Sequence, residues 1–582
     1  MAVQPQLDVA GGPRKGGVIR FFLSLVASLL VSTAGFSQEH MPEQARLAAA
    51  QKAFDAADWE EAARISEGPA DQPPELDLLR GLALSRLEKW DQARAAFEAG
   101  ARKSPGDSRF PVELAGVAYK QKNFHLAKKD LQTALWLNPR GAYPHEFLAT
   151  IYFLEGNLEA AVKYWNFEDK PRLRSVAFVP SLQLSKSFEK RVLAFNAPQV
   201  LTAGAMLTTE SRLDNLGIFS GRRIELTAAE SGDYDLTVHL KERDFGGPSK
   251  AEGIVSLLSG LPYGTVYPGI YNLGHRAMNL TSLVRWDAQK RRVFVDFSIP
   301  VYDHPSLRLK FYADARNENW NLSQTFAGAV TPMTDLNLRR IVAGAEFRGV
   351  SNGRSSWSAG AEAGNRNFRN VGSLLPRAQR TPFTGGNSVG GWLGAERTLA
   401  RVPERRFTLD SSVKATAGRE FAGALGPFAT LRGALRAEWF PQAKGDDYEM
   451  RGRIRAGATA GKVSLDELFQ LGVERDNDLW LRGHAGTIDG RKGAAPLGRR
   501  YFLANWETDK NIYGNGLFSL KLGPFLDNGA IAESSGFFGS QRWLWDSGLQ
   551  CKVRILGGVT AVFSYGRNLR GGKGVFYGTA RR

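Results

Sequence analysis

The sequence has one cysteine and few histidines, and these shortages exclude several kinds of chemistry. Because Cys551 stands alone among 582 residues, no disulfide can form within the chain. The seven histidines are scattered, without the H-E-x-x-H pattern or the Cys/His spacing of a zinc site. The chain also lacks a P-loop and the G-x-S-x-G turn that carries a serine nucleophile. We therefore expect no cofactor and no metal, and we predict that the protein is not an enzyme.

Long apolar runs are also scarce, since the mean hydropathy is −0.29 and the one strongly apolar run lies near the N-terminus. Basic residues precede that run, residues 21–31, and small residues follow it. This order is typical of a secretory signal peptide, and the run is shorter than the roughly 20 residues of a membrane-spanning helix. We predict that residues 1–37 are a signal peptide cleaved near Ala34 or Ser37. A membrane anchor is the alternative.

Positive charge is plentiful but dispersed. The formal net charge is +17, and 76 Lys and Arg residues are spread along the chain rather than gathered in blocks. A dedicated nucleic-acid surface would concentrate them on one face. We therefore expect no nucleic acid partner. The 63 glycines and frequent aromatic residues suit a β-rich body.

Residues 38–170 carry a repeat of 34 residues. Trp90, Phe124 and Leu158 begin similar four-residue motifs at that spacing, and Trp59 precedes them after a shorter spacer. Other positions keep the same register: Gly81 with Ala115 and Ala149, Phe97 with Leu131, and Pro105 with Pro139. The pattern resembles the tetratricopeptide repeat family over about three and a half repeats. It implies an all-α solenoid, with the four motif-initial residues buried at equivalent places.

A repeat array of this kind presents a concave groove to a partner peptide or helix. A plain spacer is the alternative.

Residues 171–245 change rhythm. Strand-like "RSVAFVPS" precedes two helical stretches, and two alternating runs, "RRIELTAAE" and "YDLTVHLKER", follow. The order β-α-α-β-β resembles a POTRA domain, a small α+β module. The residues that carry this likeness are Leu213, Gly217, Phe219, Asp235, Leu236 and Glu242. The resemblance implies a sheet edge that pairs with incoming strands.

Residues 246–582 read as alternating strands. In "SLRLKFYADAR", Leu309 and Phe311 share one face while Arg308 and Lys310 share the other. A soluble sandwich would turn its polar face to water, whereas a transmembrane barrel turns its apolar face to lipid and its polar face to the lumen. The exported chain and Gly-rich turns favour the barrel. We predict about 16 strands, beginning between Val266 and Leu283.

An Arg-Gly pair stands inside a long connection near the C-terminus. Arg482 and Gly483 of "LRGH" are followed by a strand in which Phe525, Asp527 and Gly529 form an F-x-D-x-G motif. The order of these motifs resembles the BamA-type outer-membrane assembly superfamily, which includes the two-partner secretion translocators. Together with the POTRA-like module, the likeness covers about 400 residues.

The pair also suggests an internal lock. Ordering a loop of about 30 residues is costly, at about 1–2 kcal/mol of backbone entropy for each residue. A planar guanidinium can pin such a loop by donating two parallel hydrogen bonds to one carboxylate. We predict that Arg482 binds Asp527, which alternation places in the lumen, and the family likeness suggests Glu507 as a second acid. An exposed arginine in a mobile external loop is the alternative.

The resemblance implies an outer-membrane protein with its N-terminal domains in the periplasm. It implies capture of unfolded protein clients, which are inserted into outer-membrane lipid or exported, and a periplasmic partner in the repeat groove. An exopolysaccharide export porin is the alternative, since such porins also join repeats to a barrel. A structural or adhesive surface protein is a third class.

Overall fold

The computed structural model describes residues 42–581, apart from residues 231, 244–249, 323–334, 372–380, 422, 424, 516, 533–540 and 556–558. The predicted signal peptide lies outside the described residues. None of the helices in the described part of the chain has the length and apolar character needed to cross a membrane. The chain divides into two compact units, residues 1–117 and 118–582.

The N-terminal part is helical, as the 34-residue repeat predicts. Its helices are α1 (Glu43–Asp55), α2 (Trp59–Ile65), α3 (Pro74–Arg86), α4 (Trp90–Lys103), α5 (Arg109–Lys120), α6 (Phe124–Leu137), α7 (Ala142–Leu154) and α8 (Leu158–Trp165). The same turn precedes every second helix: a residue with positive φ stands two positions before the helix begins, at Ala57, Glu88, Lys122 and Gly156. Asp58, Asn123 and Asn157 then cap α2, α6 and α8 through their side-chain oxygens.

The four motif-initial residues occupy equivalent places but are only half-buried. Trp59, Trp90, Phe124 and Leu158 each form the first position of an even-numbered helix. The fully buried position comes three residues later, at Ala62, Ala93, Ala127 and Ala161. The prediction of burial is therefore wrong for the large residues. A small side chain lets the two helices of a pair approach closely, so the large one is left at the rim.

The next module has the predicted β-α-α-β-β order. Its elements are β1 (Leu173–Val179), α9 (Lys186–Val192), α10 (Ala203–Leu216), β2 (Phe219–Ala228) and β3 (Tyr234–Glu242). The strand order is β1-β3-β2, with β1 parallel and β2 antiparallel to the central β3. Both helices pack on this sheet: Phe188 of α9 and Leu213 of α10 are buried in one apolar cluster with Val238 of β3. Strand β2 therefore stands at an edge of the sheet.

The C-terminal part is a closed barrel in which consecutive wall strands pair antiparallel. A helix, α11 (Lys250–Leu258), precedes it within the range that the sequence assigned to strands. The wall strands are β4 (Thr265–Val266), β5 (Gly269–Leu273), β6 (Met278–Trp286), β7 (Lys290–Pro300), β8 (Leu307–Asn321), β9 (Asp335–Ser351), β10 (Ser355–Arg369), β11 (Gly386–Val402), β12 (Phe407–Phe421), β13 (Pro427–Trp439), β14 (Tyr448–Gly461), β19 (Arg500–Gly514), β20 (Phe518–Ala532), β21 (Gln541–Ile555), β22 (Val559–Asn568) and β23 (Gly574–Arg581).

Four two-residue strands lie in the long connection between β14 and β19. They are β15 (Phe469–Gln470), β16 (Thr487–Ile488), β17 (Arg491–Lys492) and β18 (Leu497–Gly498).

The described wall has fifteen strand positions, against a prediction of about sixteen. β4 and β5 pair with β6 in one common register, so they are two pieces of one interrupted strand. The other fourteen strands have 8 to 17 residues. The difference arises at the start of the barrel, where the chain forms α11 and this broken strand.

The seam of the barrel lies where its first and last strands meet. The strand order places β23 beside β4, which has only two residues. Elsewhere in the described wall, long neighbouring strands pair along ladders; β8 and β9, for example, pair from Leu307 to Asn321. Since each ladder pair contributes hydrogen bonds, the seam has the least backbone pairing of the wall.

Alternation along the strands gives the barrel an apolar outside and a polar inside. Ile341, Leu393 and Leu549 are 56–68 % exposed on the outer face. Along β20, residues 523, 525, 527 and 529 are buried towards the lumen, while Leu522 and Leu526 face outwards. This is the arrangement of a barrel that stands in lipid.

The POTRA-like module is fixed to one end of the barrel. The buried guanidinium of Arg308, on β8, donates to the carbonyl oxygens of Asn215 and Leu216 at the end of α10. A cation placed there complements the helix dipole and satisfies carbonyls that the helix leaves without partners. Gly217 ends the helix with φ of +67°. Asn279, on β6, also donates to the Leu216 carbonyl at 2.9 Å.

The surroundings of His304 at this joint lower its pKa. Burial lowers the pKa of His304, and nearby Arg212 and Arg191 lower it further.

The last repeat helix contacts the same end of the barrel. Glu159 of α8 accepts two hydrogen bonds from Arg401, at 2.6 and 2.7 Å, and Lys163 pairs with Glu404 at 2.5 Å. The side chain of Asn157 donates to the carbonyl of Pro403 at 2.8 Å. The repeat helix nearest the module is therefore attached to a turn of the barrel.

We expect Phe97→Ala to destabilise the repeat region by about 3–5 kcal/mol, because Phe97 is fully buried and its removal leaves a cavity. Urea unfolding followed by circular dichroism measures the change. Glu98→Ala, at the exposed neighbouring position, is the matched control and should stay within about 0.5 kcal/mol. Equal effects of the two substitutions would contradict the repeat packing.

Candidate functional site

The connection between β14 and β19, residues 462–499, fills part of the lumen and is called the lumen loop below. Strands alternate in direction, and the turns after β5, β7, β9 and β11 lie at the end that carries the module, so the lumen loop enters from the opposite end. Apolar residues hold it against the wall: Phe469, Leu471, Leu479 and Leu481 pack with Tyr501, Leu503, Ile531 and Leu544. The loop is therefore a packed part of the barrel interior.

Arg482 makes the densest polar contacts of the loop. Its Nε and Nη2 atoms donate to the two carboxylate oxygens of Asp527 at 2.9 and 2.7 Å, the bidentate geometry of a planar guanidinium. Its Nη1 atom donates to Glu507 at 3.1 Å and to Gln550 at 2.8 Å. Phe525 lies beneath the guanidinium, with its ring centre 3.7 Å from the Arg482 Cζ.

Both ions of this pair are removed from water. The side chain of Arg482 is 6 % exposed and that of Asp527 is fully buried. A buried pair of this kind is strongly sensitive to the loss of one partner, because the remaining charge then lacks both water and a counter-ion. The backbone amide of Arg482 also donates to Asp527, at 3.0 Å. The carboxylate therefore fixes the backbone of the loop as well as its side chain.

Gly483 and His484 continue the attachment onto the next strands. The Gly483 amide donates to Asp546 of β21 at 2.5 Å. A Cβ atom at Gly483 would lie 2.6 Å from the Asp546 Cγ, so no larger residue fits without movement. His484 bridges Asp546 at 3.0 Å and Asn568 of β22 at 3.1 Å.

The structure thus brings together Arg482, Gly483, Asp527 and Glu507, the four residues that the sequence nominated for the lock. Phe525 and Gly529, the other members of the F-x-D-x-G motif, lie on the same luminal face of β20.

Sequence reasoning missed the second layer of this site. Asn505 donates to Asp527 at 2.7 Å, and Lys552 holds Glu507 at 2.8 Å. Asp546 is also essential to the geometry, since it accepts from Gly483. These residues occupy luminal positions of neighbouring strands, and Asp546 lies directly opposite Asp527 in the β20–β21 register. The alternating pattern alone could have nominated them as luminal.

The lumen loop leaves space at the end that carries the module. A cavity of about 780 Å³ lies there between α10 and the wall, lined mainly by polar and charged side chains such as Asp296, Lys310, Arg348 and Asp410. In the described part of the chain, no group of three or more His, Cys, Asp or Glu side chains could hold a metal ion.

The chain is similar to BamA and CdiB. It covers 84 % of a BamA from Haemophilus ducreyi lacking POTRA domains 1–3, with 70 % of this chain, 12 % identity and a TM-score of 0.43. It covers 73 % of CdiB from Acinetobacter baumannii with 70 % of this chain, at 16 % identity and a TM-score of 0.45. It covers 84 % of CdiB from Escherichia coli with 75 % of this chain, at 12 % identity and a TM-score of 0.47.

No family model matches the chain, and no curated protein matches it. The function proposed below therefore rests on the geometry of this chain.

Arg482→Ala should release the lumen loop, because it leaves the buried carboxylate of Asp527 without its guanidinium. We expect a local loss of about 3–5 kcal/mol. Protease added to the folded protein should then cut within residues 462–499.

Arg491→Ala is the matched control in the same loop, since Arg491 and its partner Asp335 are 41 % and 60 % exposed. Its effect should lie within about 1 kcal/mol. A loop as resistant in Arg482→Ala as in the control would contradict the lock.

Proposed function

We propose that the protein is an outer-membrane assembly or translocation factor for protein clients. In this proposal the repeats and the POTRA-like module lie in the periplasm and receive unfolded clients. The barrel then inserts the clients into the outer membrane or exports them. The repeat groove binds a periplasmic partner or a client segment.

The observation that carries this proposal is that one chain contains two strands with incomplete backbone pairing. In the module, the sheet order leaves the ten-residue β2 with one neighbour, β3. At the seam, β23 has a neighbour of only two residues. An unpaired edge binds an extended polypeptide by main-chain hydrogen bonds. A polysaccharide has no peptide groups to continue such a ladder.

The position of the module supports a handover from one edge to the other. Arg308 and Asn279 fix α10 to β8 and β6, close to the first strands of the wall. The cavity of about 780 Å³ lies between this helix and the lumen. A client held by β2 is therefore on a module that is attached beside the luminal cavity.

The apolar outer face supports a lipid-embedded barrel. Closed barrels satisfy all their backbone hydrogen bonds in lipid, which open sheets cannot do. Insertion or export of a client involves no covalent step. The chain therefore needs strand edges, a lumen and the ordered lumen loop rather than catalytic groups.

The alternative function is export of an exopolysaccharide through the lumen, with the repeats as a periplasmic platform. The polar lining of the cavity suits such a polymer. The open edge of β2 and the short pairing at the seam favour the protein client.

Depletion of the protein in its native host distinguishes the two functions. We expect levels of outer-membrane β-barrel proteins or secreted proteins to fall while exported polysaccharide stays constant, as measured by quantitative proteomics and a sugar assay. Complementation with the wild-type chain and with Arg491→Ala should restore the proteins, and Arg482→Ala should restore them less. Loss of polysaccharide with unchanged proteins would establish the export porin instead.

A further inference from the structure

A second group of buried charges lies in the lumen, separate from Arg482 and its partners. Glu474 and Asp476 begin the central part of the lumen loop, and their side chains are 2 % and 5 % exposed. Asp476 contacts Arg285 and Arg292 of the wall, each at 2.7 Å. Glu474 contacts Lys290 at 3.0 Å. This pair of acids is called the acidic anchor below.

The partners of the acidic anchor belong to the first strands of the barrel. Arg285 lies on β6, and Lys290 and Arg292 lie on β7. Lys492, later in the loop, adds a contact with Glu318 of β8 at 2.8 Å and with Asp476 at 3.3 Å. Two separate parts of the loop therefore contact three consecutive strands: the acidic anchor contacts β6 and β7, and Lys492 contacts β8.

Charge balance shows that the wall depends on these loop acids. The wall contributes the cations Arg285, Lys290, Arg292 and Arg316 but only two carboxylates, Asp314 and Glu318. Buried cations are strongly unfavourable without counter-ions. The acidic anchor adds two carboxylates and Lys492 adds one cation, so seating the loop changes the cluster from four cations with two carboxylates to five cations with four carboxylates.

Arg482, Gly483 and His484 attach the same loop to the last strands. Their partners are Asp527 on β20, Asp546 on β21 and Asn568 on β22. Trp480 packs edge-on against Tyr577 of β23, with ring centres 5.4 Å apart.

Asp476 contacts strands on one side of the seam and Arg482 contacts strands on the other side, and only five residues separate them. Arg475, next to Asp476, lies 3.3 Å from the ring centre of Tyr263, just before β4. The backbone of β23 lies close to the same tyrosine, since a Cβ atom at Gly578 would be 3.0 Å from the Tyr263 hydroxyl oxygen.

We propose that Glu474 and Asp476 are a second anchor of the lumen loop, and that this anchor and Arg482 together clamp the first strands to the last strands across the seam. The clamp replaces backbone pairing that the two-residue β4 cannot provide. Release of either end frees the seam. The proposal concerns how the barrel is held and does not depend on the nature of the client.

Thr265 offers a direct reporter of the seam. It lies on β4, is fully buried, and accepts a hydrogen bond from Arg285 at 3.2 Å. With Cys551→Ser and Thr265→Cys in the full chain, a membrane-impermeant maleimide should label the protein slowly. Asp476→Asn should raise the labelling rate about tenfold or more while Arg482 remains intact. The temperature at which the compact barrel is lost in detergent should fall as well.

Three further variants test the same assignment. Glu474→Gln leaves Asp476 in place, so it should give a smaller increase in a barrel that still forms. Adding Arg285→Met to Asp476→Asn removes one uncompensated cation, so the double variant should label more slowly than Asp476→Asn alone. Glu396→Gln removes a luminal acid whose pair with Arg348 is exposed and distant from the seam, and should leave labelling within about twofold.

The labelling results decide the proposal. If labelling of Thr265→Cys is unchanged by Asp476→Asn or by Glu474→Gln, the acidic anchor does not hold the seam. If Arg285→Met adds a further increase in labelling rate to that of Asp476→Asn, the two side chains act independently, and this result would also overturn the assignment. An equal rise in Glu396→Gln would show a general effect of luminal charge and would also overturn it.

Discussion

The bidentate pair between Arg482 and Asp527 is the interaction on which the rest of the lumen depends. It holds a loop of residues 462–499 inside the barrel and fixes the loop backbone through the amides of Arg482 and Gly483. With that position set, the apolar side chains of the loop pack on the wall, and its acids meet the cations of β6 and β7. Without it, buried charges on both sides would lack partners, and such a state is unfavourable.

This constraint links the barrel to its proposed work. A barrel that admits polypeptides needs a weak place in its wall, yet an unpaired edge in lipid is costly. The chain combines a minimal β4 at the seam with a loop that contacts strands on both sides of it. Electrostatic contacts in the lumen thereby stabilise a closure that backbone pairing supports only weakly. Arg308 of β8 binds the end of α10 and so fixes the module beside the same strands.

Alternation and spacing made much of this accessible from the sequence. A period of two assigns each strand residue to one face, so the luminal position of Asp527 followed from "LFSLKLGPFLDNG" alone. The 34-residue spacing likewise located the first residue of each even-numbered helix. Cross-strand partners were inaccessible, because they depend on register: Asp546 and Lys552 join the site only through the pairing of β20 with β21. Helix α11 and the broken first strand were missed, since neither alternation nor spacing describes them.

Hydrogen exchange of the lumen-loop amides tests the account most directly. The account predicts that the amides of Arg482 and Gly483, which donate to the buried carboxylates of Asp527 and Asp546, exchange as slowly as those of β20. Mass spectrometry of peptides covering residues 462–499 in the intact protein provides the rates. Exchange of these amides as fast as in an exposed loop would contradict the account, because the loop would then not be held in the lumen.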